Sequence, residues 1–309
     1  MKRLKKHLPL LATLAALGAM ICASAEASAG AREGLSVCAR SLAPSLFPFF
    51  VLANLLSALG LADILSGVAG GVMGRLFRVS GAGCQAFFLG ITGGYPLGAA
   101  AVAQLRREGR VSRREAERLA AFCNNSGPAF ILGAVGGVFQ SPAAGLLLYV
   151  THILAAIGVG LLFRRGAKAP AAVSAHTAPP PMPFSAAFSA SVSKALSSTL
   201  AVCGYVVFFS ALLGLLTPLS LLPPLYRAAA AGFLELGSGI AALAGLAPTP
   251  TSLAVAALML GWGGLSVQCQ TLSVFADTDI KCARHLAGRA LCGGLSAVLT
   301  YAAALILFQ

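Results

Sequence analysis

Asn124, Asn125 and Ser126 stand together inside a long apolar stretch and are followed at once by Gly127 and Pro128. Residues 122–137 read F-C-N-N-S-G-P-A-F-I-L-G-A-V-G-G. The two carboxamides can donate hydrogen bonds to a carboxylate or to a heteroaromatic ring acceptor. Pro128 has no N–H to give and biases Gly127 away from helical geometry. In lipid the freed backbone groups would be costly, and such backbone is tolerated where it lines a cavity enclosed by protein. A polar, helix-breaking start to a membrane segment therefore marks a candidate binding site. A polar packing patch with a proline kink is the plainer reading of the same residues.

Other residues could join that chemistry. Gly93, Gly94 and Tyr95 lie in G-I-T-G-G-Y-P at 90–96, where three glycines and Pro96 break a helix. Tyr95 could stack on an aromatic ring, or it could be an interface-belt tyrosine. Glu235 sits in G-F-L-E-L-G-S-G at 232–239. A carboxylate in such apolar surroundings is either functional or a surface residue of a membrane-skimming helix. Gln268 and, beside it, Gln270 follow a G-W-G-G turn, with interhelical hydrogen bonding as the alternative role. Ser126 with His152 could form an intramembrane serine hydrolase dyad, though Gly-Pro follows the serine directly. No phosphate-binding loop is present, and the eight cysteines are scattered without a C-x-x-C pair. Neither a disulfide framework, a metal site nor a cofactor is indicated.

The elements that must position these residues follow from composition. Of 309 residues, 58% are hydrophobic and 10% charged, with a mean hydropathy of +0.85. Several apolar runs are long enough to cross a bilayer, so the expected class is an all-α polytopic membrane protein of the cell membrane. The net charge of +13 sits in short loops beside apolar spans. It is read as a topology signal rather than a nucleic-acid surface.

Residues 1–30 hold a basic start and an apolar run, read as an uncleaved anchor, with a signal-like Ala23-Ser24-Ala25 site as the alternative. A span is expected over 36–60, interrupted by Pro44 and Pro48, then an interfacial helix and loop over 61–80. Residues 84–105 are expected to form a re-entrant hairpin turning at Gly93-Gly94. That keeps the Arg-rich loop 106–118 inside, as the positive-inside rule asks. Ser112 with Glu115 fits a capping box opening the next helix. Residues 119–140 then cross outward and 143–163 return. The first membrane repeat with its connecting span is thus 31–163, and 164–194, with His176, is a cytoplasmic linker.

Residues 195–309 are read as a second repeat. Three pieces echo the first half in the same order: 203–215 with 47–59, 259–266 with 88–95, and 283–294 with 116–127. The halves would have inverted topology, each with a Gly/Pro-broken re-entrant segment. Asp277, Asp279, Lys281, Arg284 and His285 would lie in an outside loop, since their charges balance. Inverted repeats with broken helices meeting near the bilayer midplane are a transporter architecture.

F-C-N-N-S-G-P at 122–128, with G-G-Y-P-L-G at 93–98 and S-R-R-E-A-E-R-L at 112–119, resembles the sporulation integral membrane proteins of endospore formers, YlbJ type. These belong to the broader nucleoside-recognition, or Gate, superfamily. The resemblance covers about residues 30–308 and is softer in the second half. It implies paired re-entrant hairpins around a solute and a role in spore maturation. It further implies export of dipicolinate across the outer forespore membrane, with nucleoside-like solutes as an alternative. The matching positions are Gly93, Gly94, Tyr95 and Pro96, then Asn124, Asn125, Ser126, Gly127 and Pro128. The expected partners are the lipid bilayer and a small anionic or heteroaromatic solute, with assembly into homo-oligomers left open. A non-transporting scaffold or sensor of spore assembly is the competing function.

Overall fold

Glycine and proline place the helix breaks, and the breaks organise the molecule. The computed structural model describes residues 2–166 and 183–308, and among them the regular structure is helical. Five helical stretches are long and apolar enough to cross a membrane: Ser24–Ala58, Pro142–Phe163, Phe184–Gly214, Pro250–Phe275 and Ala283–Leu307. The chain is an all-α polytopic membrane protein.

The expected hairpin is present. Arms Gly83–Gly93 and Leu97–Arg107 pack on each other and turn at Gly94, whose φ of 84° suits glycine. The chain then re-enters as a broken span: helix Arg113–Phe122, an unwound segment through Pro128, and helix Ala129–Val138. Ser112 caps the first piece through the Glu115 N–H at 3.3 Å. Glu115 does not complete the box; its carboxylate accepts from the Ser80 N–H at 2.5 Å instead. Pro142–Phe163 brings the chain back. Phe77 stacks on Phe122 at 4.9 Å, and Phe87 lies tilted against both at 5.8 to 6.0 Å, which pins helix Leu61–Phe77 to both the hairpin and the broken span.

The second half repeats this order, but with different residues from those expected. Its hairpin is Pro224–Leu234 with Leu236–Ala241, turning at Glu235. Its broken span is Pro250–Trp262 with Gly264–Phe275, interrupted at Gly263 and Gly264, both with positive φ. The G-W-G-G turn is therefore the counterpart of 122–128, not of the hairpin turn at 90–96. Its last span is Ala283–Leu307.

Contacts fix the direction of each piece. Arg106 pairs with Asp279 at 2.8 Å and Arg107 with Asp277 at 3.1 Å. Arg110 pairs with Asp63 at 2.7 Å, and Arg164 donates to the Leu76 carbonyl at 2.9 Å. These basic residues share one face, the cytoplasmic one by the positive-inside rule. The loop around 277–282 is thus inside, which corrects the outside placement. Its charges balance because its acids answer the arginines of the neighbouring loop. The Arg106 hydrogen bond, its largest influence, holds the Asp279 carboxyl below the usual range. This exposed pair therefore persists above that depressed value and is lost only as pH falls through it.

The far end of Phe184–Gly214 lies against the start of Ser24–Ala58, where Gly214 meets Glu26 and Gly30. The second hairpin hence opens to the opposite face from the first, and the two broken spans run in opposite directions. The inversion stands with a corrected pairing. Cysteine substitutions at residues 110 and 279 should both react with a membrane-impermeant thiol reagent from the cytoplasmic side. Labelling of 279 from outside would remove this topology.

Three further boundaries differ from the expectation. Ser24–Ala58 is one helix, with a π-turn at Cys38–Leu42 taking up the strain before Pro44. The stretch read as linker ends earlier, because helix Phe184–Gly214 begins within it. His285, placed in a loop by sequence, is fully buried in the last span. His176 lies outside the described residues.

Candidate functional site

The unwound residues 123–128 thread between the arms of the first hairpin. A Cβ on Gly90 or Gly98 would strike the Cys123 carbonyl oxygen. One on Gly94 would lie 2.8 Å from the Gly127 nitrogen. The glycines of G-I-T-G-G-Y-P-L-G are there because backbone meets backbone. The second half shows the same device: a Cβ on Gly264 would lie 3.0 Å from the Leu236 nitrogen at the other hairpin turn.

Freed carbonyls at the two breaks find side-chain donors. Tyr95 reaches across and donates to the Leu260 carbonyl at 2.9 Å. Arg289, fully buried in the last span, donates to the carbonyls of Asn124 and, at 3.0 Å, Gly261. It also donates to the Asn125 side-chain oxygen at 3.1 Å. Its guanidinium lies 5.8 Å from the centre of the Tyr95 ring. Among the described residues no carboxylate pairs with it. Gly288 rests on Ala121 of the first broken span and Gly293 on the Leu258–Trp262 turn of the second. This close packing lets one arginine serve both breaks.

A cavity lies where the two turns, the first break and the second broken span converge. In this conformation its volume is about 40 Å³, room for a few water molecules. Tyr95 comes from the first turn, Ser126 and Gly127 from the first break, Glu235 and Gly237 from the second turn, and Gln270 from the second broken span. Leu42, Leu46, Val202 and Val206 close it with apolar surface. Such a mix of apolar wall and few convergent polar groups suits a small ligand.

The sequence candidates divide. Tyr95, Ser126, Gly127 and Glu235 line the cavity. Gly93 and Gly94 form the turn behind them. Asn124 and Asn125 have protein partners. The Asn124 amide donates to Thr271 at 2.8 Å and accepts from the Ala99 N–H at 3.3 Å. The Asn125 amide donates to the Phe122 carbonyl at 2.8 Å. Gln268 points elsewhere, donating to the Trp262 carbonyl at 2.5 Å and meeting His285 at 2.8 Å. Its neighbour Gln270 lines the cavity, and its buried side-chain oxygen has no partner. Glu235 accepts from the N–H groups of Gly237 at 3.0 Å and Ser238 at 2.6 Å, which caps the returning arm. His152 accepts the Ser126 backbone N–H at 3.1 Å through Nε2. The lone pair a catalytic base would turn on the Ser126 hydroxyl is therefore engaged.

Sequence reasoning missed Arg289. The available signal was an arginine inside an apolar span, which marks a functional position by default. It was hidden by its nearness to the loop charges Arg284 and His285.

The family model described as Gate, nucleoside recognition, matches residues 39–141, which hold the first hairpin and first broken span. The sporulation integral membrane protein YlbJ of Bacillus subtilis strain 168 is 33% identical over 314 aligned residues. That alignment covers 89% of this chain and 76% of the relative. The chain belongs to the YlbJ family of sporulation integral membrane proteins. With 89% of the chain aligned, the relationship extends past the Gate match into the second half. No solved structure matches the chain.

Proposed function

We propose that this protein is a carrier for a small, flat, polar solute, anionic or heteroaromatic, that binds between the two hairpin turns and crosses by alternating access. One observation supports this above others: a single cavity receives residues from both turns, from the first break and from the second broken span. In that arrangement each hairpin guards one face, and exposure alternates when one turn parts from its break. Ser126, Gly127, Tyr95, Glu235 and Gln270 are assigned to the solute, while Asn124, Asn125 and Gln268 hold the walls. Arg289, buried without a carboxylate partner, gives the first-break side of the cavity positive potential, which favours an anion. Dipicolinate is the member of this solute class that the family resemblance supplies. The engaged His152 lone pair argues against hydrolysis.

Uptake of labelled dipicolinate and of nucleosides into proteoliposomes tests the reading. Gln270→Leu and Ser126→Ala should each weaken binding of the transported solute roughly tenfold, the loss of one hydrogen bond worth about 1–2 kcal/mol. Their thermal stability should match the parent. Absence of binding and flux for both solute classes in folded protein would favour the scaffold reading instead.

A further inference from the structure

A roomier pocket lies on the cytoplasmic side of the central cavity, between helix Ser24–Ala58, hairpin arm Leu97–Arg107 and helix Phe184–Gly214. Asn54, Ser57, Gln104, Ser191 and Lys194 line it, and no carboxylate does. Its volume is about 130 Å³, against about 40 Å³ for the central cavity. An apolar cavity of about 150 Å³ holds benzene, so this pocket is on the scale of one small ring. Gln104 stands just before the Arg106–Asp279 pair, and Ala58 just before Asp63, which pairs with Arg110. Those pairs put the pocket at the cytoplasmic end.

Three donors on its walls lack a protein acceptor among the described residues. Asn54 is 8% exposed, and its amide nitrogen has no partner. Ser57 accepts from the Gln85 amide at 2.6 Å, which leaves its own proton to give. Lys194 pairs with no carboxylate. The charged groups nearest its ammonium are Arg107 and Glu108. Arg107 is held by Asp277 at 3.1 Å, and Glu108 accepts from the Gln104 amide at 2.8 Å. Ser191 gives its proton to the Ala187 carbonyl at 2.6 Å.

The pocket and the cavity share two walls. Leu42 and Leu46 of the cavity stand on the same helix as Asn54 and Ser57, and Val202 and Val206 on the same helix as Ser191 and Lys194. On the latter, Ser191, Ala195, Thr199, Val202 and Val206 recur at helical spacing and are all buried. Thr199 lies between the two spaces, its hydroxyl buried without a partner. From Ser191 to Val202 the path is roughly 16 Å, at about 1.5 Å per residue. A lone lysine near the end of a span can simply reach for the headgroups, but that leaves the Asn54 and Thr199 groups unanswered.

We propose that this pocket is a waiting site for the carboxylate of a small ring solute on its cytoplasmic route to the central cavity; the proposal rests on the carrier reading above. One ammonium with one amide and one hydroxyl donor matches a carboxylate, which brings a single charge and two acceptor oxygens. The space beside the donors takes the ring that carries it.

A thiol placed in the pocket reports on it and not on the cavity. Ala190 lines the pocket, so the test follows alkylation of Ala190→Cys in the full-length protein in detergent, with the parent cysteines as background. The probes are benzoate, its neutral isostere benzamide, and inorganic phosphate. Benzoate should slow the reaction, and benzamide should do so roughly tenfold less effectively, because it lacks the charge. Adding Lys194→Gln or Asn54→Leu should each raise the benzoate concentration for half-protection roughly tenfold. Lys194→Arg should keep most of the protection. Asn54→Leu should not lower the melting temperature, since it removes a buried donor that has no partner; a lower one would overturn the place of Asn54 in the site. No protection by benzoate, or equal protection by benzamide, overturns the proposal, and neither result needs a charge variant to fold. Undiminished protection in Lys194→Gln also overturns it, and stronger protection by inorganic phosphate overturns the carboxylate assignment. Dipicolinate flux separates the pocket from the carrier. Flux without protection removes the pocket and leaves the carrier, whereas protection without flux in folded protein removes the carrier and the waiting role with it.

Discussion

Gly98→Ala is expected to leave little folded protein, while Gly133→Ala is expected to behave like the parent. A Cβ at Gly98 would meet the Cys123 carbonyl, with the Cys123 carbonyl carbon at 2.7 Å and the Asn124 Cα at 3.0 Å. All of these are backbone atoms, so no rotamer change relieves the contact. The hairpin arm or the unwound segment has to move. The cost should reach or exceed the upper end of the usual overpacking penalty, about 3 kcal/mol. Movement would also displace Ser126 and Gly127 from the cavity. At Gly133 nothing lies within 4 Å of the added carbon. Alanine there should be neutral or gain roughly 0.5–1 kcal/mol by stiffening a helix. Detergent-extracted yield and melting temperature of the two variants, measured side by side, decide the matter. Equal behaviour would show that the unwound segment does not thread the hairpin.

Arg289→Leu should be the most damaging single change among the buried polar residues. It leaves the carbonyls of Asn124 and Gly261 and the Asn125 side-chain oxygen without their donor. Each buried acceptor without a partner costs about 1–3 kcal/mol. Removing the buried cation returns part of that, so a net loss of about 3 kcal/mol is expected. Both breaks should loosen together, and solute flux should vanish. Arg289→Lys should rank between parent and Arg289→Leu, because a compact ammonium cannot span three acceptors as a planar fork does. Melting temperature and flux on the same preparations check this. Parent-like stability in Arg289→Leu would mean that the two breaks do not share this residue.

Much of the first half was legible because its signals are local. Glycine at 93 and 94 with Pro96 forces a turn wherever the chain goes, and Pro128 breaks a helix in any context. The surplus of arginine over 106–118 fixed the face of that loop. The second half hides its signals. Its hairpin turns at Glu235, whose carboxylate caps the returning arm, so no proline or double glycine marks the turn. The loop around 277–282 looked neutral because half of its ion pairs lie in another loop, a fact of tertiary structure. In sequence the Asn124 and Asn125 amides read as donors to a solute, whereas here they have protein partners. Which partners they take depends on Thr271 and Arg289, remote in sequence.

All five salt bridges among the described residues lie on the cytoplasmic face. Those joining the Arg-rich loop to the loop around 277–282, together with Arg284–Glu117, bridge the two halves, and none of the five lies at the outer ends. Such exposed pairs are individually weak and are weakened further by salt. Parting the halves from inside thus carries an electrostatic threshold that parting them from outside lacks. Under the alternating access proposed above, the molecule would act as a rectifier: its two exits would differ in stiffness, and the ionic strength on one side alone would set how unequal they are.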